Sequence, residues 1–168
     1  MALPYDVQTY LLDKENIRDT VIRMMLAFDD RATSTLIDSV YAPEILVHYP
    51  RLLFDYQKKV SSEEWAKMLE PLLDEFDTTE HIVHNLLIEL PQPGKPGTQR
   101  PNSCKARAYA HGLFYKFDAE GRPSVMARRQ GGGYELELVR VKEKEEAGEN
   151  PWRISELKAS FHWQDRGN

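Results

Sequence analysis

Apolar residues recur at helical spacing in the first half of the chain and alternate with polar or small ones in the second. Ile17, Val21, Met24, Met25 and Phe28 share one face of a helix over Asp13 to Phe28, with Asp13 placed to cap its start. Leu36, Ile37 and Val40 give one face to a shorter helix over Thr33 to Val40, which must stop before Pro43. A third helix over Ser61 to Phe76 opens on Ser61 and Glu64, a capping box in which each side chain satisfies a free backbone N–H of the other. Trp65, Met68, Leu69, Leu72, Leu73 and Phe76 then form its apolar stripe, and Pro71 inside it predicts a kink or a break. After Phe76 the period changes to two. His81 to Leu90, Cys104 to Phe117, Val125 to Val141 and Trp152 to Trp163 read as strands, and a short strand over Leu46 to Tyr49 precedes the third helix. Gly131, Gly132 and Gly133 mark a bulge or bend.

Helices followed by long strands indicate an α+β class, with N-terminal helices packed on a strongly curved antiparallel sheet that encloses a pocket. The 168 residues fit one domain over 1–168, with an N-terminal extension over 1–12. Residues 91–103 hold four prolines and two glycines and read as a loop, and 142–151 read as a charged loop. The strand over Cys104 to Phe117 has two unlike faces. Arg107, Tyr109, His111, Leu113, Tyr115 and Phe117 lie on one; Ala106, Ala108, Ala110, Gly112 and Phe114 lie on the other. A face of small residues admits a close neighbour, and a homo-oligomer, dimer or trimer, formed through it is expected.

A net charge of −5 speaks against a nucleic-acid partner, because phosphate binding needs a basic surface. No apolar run approaches the roughly 20 residues of a membrane-spanning helix. Met1 to Tyr10 lacks the basic start and apolar stretch of a secretory signal, so a cytoplasmic protein is expected. Cys104 is the single cysteine, which excludes an internal disulfide and a zinc cluster of cysteines. The glycine run lacks the helix a phosphate loop requires. Activity without metal or other cofactor is therefore expected.

The candidate chemistry lies in five histidines, His48, His81, His84, His111 and His162, since imidazole exchanges protons near neutral pH. His81 and His84 are three apart on a strand and must face opposite sides, so they are no metal pair. His111 reads either as a core histidine with a partner or as a pocket group, and His81 either as a turn residue or as a base. Asp29 and Asp30 end the first helix, where the helix dipole disfavours carboxylates. Solvated surface acids and a functional site are both open readings of that pair.

The order of segments resembles the SnoaL-like domains, and among them the fungal scytalone dehydratase branch. The resemblance runs from Asp13 to Asn168. It is carried by Ala27-Phe28-Asp29-Asp30, Tyr41-Ala42-Pro43 with Tyr49, Trp65 ahead of Thr79-Glu80-His81, Ala106 to His111, Gly133-Tyr134 ahead of Leu138-Val139-Arg140, and Trp152-Arg153-Ile154 ahead of Trp163. It implies a cone-shaped barrel with a buried pocket, no cofactor, and oligomerisation through the sheet. The branch's Tyr-Asp pair falls on Phe28 and Asp29, so the carboxylate is kept and the phenol lost. Its second tyrosine falls on Tyr49, its two pocket histidines on His81 and His111, and its pocket asparagine on Glu135. The resemblance thus implies His81, His111, Asp29 and Tyr49 as catalytic groups. Phe28, Val83, Asn85, Tyr109, Leu113 and Glu135 are expected to bind substrate, Val83, Asn85, Tyr109 and Leu113 by two-residue periodicity from the histidines. The function so implied is a dehydratase, cyclase or isomerase acting on a polyketide-like or terpenoid intermediate. A non-catalytic binding or assembly subunit of the same fold is the alternative.

Overall fold

The computed structural model describes residues 5–50 and 55–166. Residues 1–4 of the expected extension, 51–54, and the last two residues of the expected domain lie outside the described residues. Helix α1 runs from Val7 to Asp29, six residues longer at its start than the apolar stripe predicts, because Asp6 rather than Asp13 accepts the capping hydrogen bond, from the Thr9 N–H at 2.7 Å. From Val7 onward the expected extension is therefore helix. A single helical turn, α2 (Thr33–Thr35), passes into a π-helical turn over Leu36–Val40. Strand β1 is Tyr41–Tyr49, longer than expected, and β2 is Tyr56–Ser61, which the periodicity did not reveal. Helix α3 (Ser62–Asp74) has Ser61 as its cap, accepting from the Glu64 N–H at 3.1 Å, and continues through Pro71 to end three residues later. Strands β3 (Thr78–Glu89), β4 (Ser103–Lys116) and β5 (Val125–Arg140) follow, then a short helix α4 (Lys142–Glu146) inside the expected charged loop, and strand β6 (Trp152–Arg166).

The six strands form one sheet in the order β2-β1-β6-β5-β4-β3. It is mixed rather than wholly antiparallel, because β1 and β6 run parallel while the other neighbours are antiparallel. The helical layer covers its inner face. Ile17, Val21, Met24, Met25 and Phe28 of α1, together with Trp65, Leu69 and Leu73 of α3, meet Ala106, Leu136, Leu138, Ile154 and Leu157 of the sheet in one core. The small-residue face of β4 is therefore inside. Ala106 is fully buried, and Ala110 and Gly112 leave the space that a cavity occupies. The oligomer contact cannot use this face, and the bulky face of β4 is the one left outside.

Two bulges set which side chains face inward. In β3 the pairing with β4 shifts between His84 and Leu87, and Asn85 takes a left-handed φ of 53°. In β5 and β6 the pairing shifts between Gly131 and Gly132, so His162 has no partner between Phe161 and Trp163. The glycines there are required by close approach. A β-carbon at Gly132 would lie 1.9 Å from the Ser160 carbonyl oxygen, and one at Gly131 would lie 2.4 Å from the Trp163 indole.

Asp13 is not a cap but a fully buried carboxylate inside α1. Arg100, from the proline-rich loop, donates to it twice at 2.9 and 2.7 Å, and the Trp152 indole N–H donates at 2.9 Å. Arg100 also pairs with Glu145 of α4. This network joins the first helix, the loop, α4 and the last strand. We expect Asp13→Asn to lower stability by about 3 kcal/mol, the low end for breaking a buried ion pair, since Arg100 keeps Glu145 and some solvent contact. Urea denaturation checks this; an unchanged midpoint would mean that the network adds nothing to stability.

Candidate active site

The inner face of β3 to β6, α3 and the end of α1 enclose a cavity of about 210 Å³. Its wall is largely apolar, with Phe28, Leu69, Leu73, Phe114 and Phe161, and His81, Tyr49, Tyr134, Gln130, Glu75 and Arg128 bring polar groups to it. Of the expected catalytic residues, His81, His111 and Tyr49 border this cavity, as does Phe28. Asp29 stands behind His81. Its Oδ1 lies 2.6 Å from the His81 Nδ1 and accepts from the Thr79 hydroxyl at 2.8 Å, while its Oδ2 accepts from the His81 backbone N–H at 2.8 Å.

The helix end explains why this carboxylate is available. Asp29 is the last residue of α1, where the dipole disfavours negative charge, so it is satisfied by these donors from β3. Arg31, which sequence reasoning did not single out, holds the corner together. With a left-handed φ of 52°, its guanidinium donates to the Asp29 carbonyl at 2.7 Å, the Leu73 carbonyl at 3.0 Å and the Phe76 carbonyl at 2.9 Å. The end of α1, the end of α3 and the start of β3 thus meet on one side chain.

Burial raises the Asp29 pKa, but the hydrogen bonds and charge of His81 and the Thr79 hydroxyl outweigh it, so the carboxyl lies below its ordinary range. An ionised carboxylate can only accept, so whenever the imidazole is in its neutral form its proton sits on Nδ1 and the Nε2 lone pair is left free. The ring is held edge-on by Phe28 at 5.5 Å and by Phe114 at 5.4 Å. Tyr49 packs 5.4 Å from the Trp65 ring, and its hydroxyl hydrogen-bonds with Tyr134. Burial pushes the Tyr49 phenol well above its usual value, so it remains a proton donor.

The other expected site residues lie elsewhere. His81 pairs with Gly112 across β3 and β4, so His111, one residue before, faces the opposite side of the sheet. It still borders the cavity. Its ring meets His84 at 4.8 Å and Trp163 at 5.5 Å on the outer face. The expectation that both rings point into one pocket is thereby corrected, although both residues border the cavity, and Tyr109 and Leu113 follow His111 outward. Val83 does face inward, but it packs on the core rather than lining the cavity. Asn85 fails because the bulge after His84 breaks the two-residue period. Asn85, Tyr109 and Glu135 instead line a separate outer depression with Arg107 and His162. Glu135 there pairs with Lys158 at 3.3 Å. His84 turns outward, as its spacing from His81 requires. Among the described residues no three His, Cys, Asp or Glu side chains are placed to share a metal ion. No helix in them is long and apolar enough to cross a membrane.

An α+β protein whose helices close a curled sheet over a single histidine–carboxylate pair is what this geometry defines. The sequence matches the SnoaL-like domain over residues 9–158, and the chain belongs to that family. No curated protein matches it. Among solved structures, the Kfla4162 protein of Kribbella flavida is similar with a TM-score of 0.73 at 17% identity, covering 95% of each chain. A provisional scytalone dehydratase of Novosphingobium aromaticivorans follows at 0.71 and 14% identity, covering 97% of this chain and 93% of that one. A hexachlorocyclohexane dehydrochlorinase of Novosphingobium barchaimii scores 0.67 at 13% identity, covering 94% and 91%. At these identities the likeness is one of fold.

The lowered Asp29 pKa gives a stability prediction. The carboxylate's charge stabilises the fold at pH values above the ordinary range near ~4, and this contribution is lost as pH falls through the lower folded value. Thermal melts of wild type and Asp29→Asn should therefore differ most near neutrality and converge in acid. A gap that stays constant with pH would show that the charge of Asp29 contributes nothing.

Proposed function

We propose that this chain is a cofactor-independent acid–base enzyme of lyase or isomerase type, acting in the cytoplasm on a small polyketide-like or terpenoid intermediate. The observation that carries the reading is His81, fixed through Nδ1 by Asp29 at 2.6 Å with its other nitrogen available to an apolar cavity. In that setting Nε2 removes a proton from a carbon beside a carbonyl. The C–H electrons form a double bond as a hydroxyl leaves the next carbon. The proton on Nε2 passes to that oxygen, water departs, and the imidazole returns to its neutral form. In an isomerisation the same proton is returned to a different carbon. Tyr49, kept protonated by burial, is the donor suited to the enolate oxygen as charge develops. The fold shared with a provisional dehydratase and a dehydrochlorinase, both named for eliminations, supports this reading.

Because the His111 ring packs against His84 and Trp163 on the outer face, the test separates the two histidines. With β-hydroxy ketones as probes in deuterated water, we expect the protein to exchange or eliminate at the carbon beside the carbonyl, read by NMR. His81→Ala should slow this by about 10²-fold or more, the usual contribution of a positioned base. His111→Ala should leave it unchanged. Equal rates for wild type and His81→Ala would replace the enzyme with a non-catalytic binding module.

The outer sheet face supports self-association. Tyr109, Trp163, Ile82 and Leu87 are among its exposed apolar residues, and His84, His111 and His162 lie between the aromatic rings. A second copy of the chain, in a homodimer or trimer, would cover them. Sedimentation should show an oligomer that Trp163→Glu converts to monomer; a wild-type monomer at micromolar concentration would remove this proposal.

A further inference from the structure

The enzyme reading leaves one cavity residue without a task. Arg128 on β5 pairs with Phe114 on β4, which places it on the inner face beside the cavity wall. Its guanidinium carbon lies 4.4 Å from the centre of the Phe114 ring and 4.7 Å from that of Phe76. The rings hold the group by cation–π attraction without answering its hydrogen-bond donors. Among the described residues it has no carboxylate within ion-pair distance and no hydrogen-bond acceptor, and its Nε is shut off from solvent. Arg31, Arg100, Arg140 and Arg153, the other arginines drawn into the folded interior, all hold carbonyl or carboxylate partners. Its cross-strand neighbour on β6 is Arg166, a like charge. Glu75, the acid that shares the cavity wall, acts on it only at a distance. Leaving a buried donor such as this Nε unmet is costly, and an acceptor in the cavity would answer it.

We propose that Arg128 recognises a carboxylate of the substrate, so that the cavity takes a small organic acid and holds its reacting carbon over His81. This rests on the acid–base reading of His81 and adds the substrate class to it. The planar fork of a guanidinium matches the two oxygens of a carboxylate. Phe114 sets the spacing. Its ring carries Arg128 at 4.4 Å and His81 at 5.4 Å, so both groups reach one small molecule. Gln130, two residues on along the same face of β5, also lines the cavity. The acid end would be held at the Glu75 and Arg128 side and the apolar body among Leu69, Phe28 and Phe161.

The test is binding, which needs no turnover. Benzoate and its neutral analogue benzamide are titrated by calorimetry into wild type, Arg128→Met, Arg128→Lys and His81→Ala, with circular dichroism as the check of folding. Benzoate should bind wild type more tightly than benzamide. Arg128→Met should weaken benzoate by about 10- to 100-fold, the loss of charge-assisted hydrogen bonds, and leave benzamide unaffected. Arg128→Lys, which keeps the charge without the fork, should fall between and stands in if the methionine variant does not fold. His81→Ala should keep benzoate binding. Should deuterium exchange fail while benzoate still depends on Arg128, the acid–base reading falls and the anion site stands. Benzoate binding that survives Arg128→Met, equal weakening of both probes, or no saturable benzoate binding would overturn the proposal.

Discussion

The site depends on a carboxylate placed where a helix least favours it. Asp29 ends a helix of 23 residues, and the negative end of the helix dipole would leave its charge unstabilised in isolation. The first residues of β3 resolve this by presenting three donors to it, two from His81 and one from Thr79. The same contact fixes the start of β3 against α1, chooses the imidazole tautomer, and turns Nε2 toward the cavity. Arg31 completes the arrangement by tying the carbonyls at the ends of α1 and α3 together. Positioning of the His81 imidazole and closure of the fold at this corner are one set of interactions.

The opposite end of α1 is secured differently. Asp13 is buried with a bidentate arginine and an indole N–H, and these partners come from a loop and a strand distant in sequence. A buried carboxylate is tolerable only with such partners. The consequence is that a proline-rich loop and a short charged helix, both of which read as surface, are drawn onto the body of the domain. Thr20 adds to this by donating to the Trp152 carbonyl at 3.1 Å, next to the same strand.

The two sheet faces divide the chemistry. Inside, one imidazole, two phenols and one guanidinium are spread over an apolar wall. Outside, His162, Tyr109, His84, His111 and Trp163 follow one another in a chain of ring contacts, edge-on except for the tilted His84–Tyr109 pair. The glycines of β5 allow this closeness, since the Trp163 indole lies across Gly131 where any side chain would stand. Two bulges, at His84 to Leu87 and opposite Gly131, decide which residues belong to which face.

The sequence by itself determined the order of the main helices and strands apart from β2 and α4, the apolar stripes of α1 and α3, the Ser61 cap and the position of the bend at Gly131, because these follow from local period, capping and glycine chemistry. It also separated His81 from His84, since their odd spacing on one strand admits no other outcome. It could not say which face of β4 is inner. Alternation fixes that Ala110 and His111 oppose each other, but only the packed core shows that the small residues go inward and leave room for a cavity. Periodicity carried Asn85 to the wrong side because a bulge is a pairing event between strands and leaves little local trace. The parallel β1 and β6 pair, the Asp13 network, the grip of Arg31 on three carbonyls and the unpartnered Arg128 join residues far apart in the chain, and contacts of that kind are decided only when the tertiary structure brings them together.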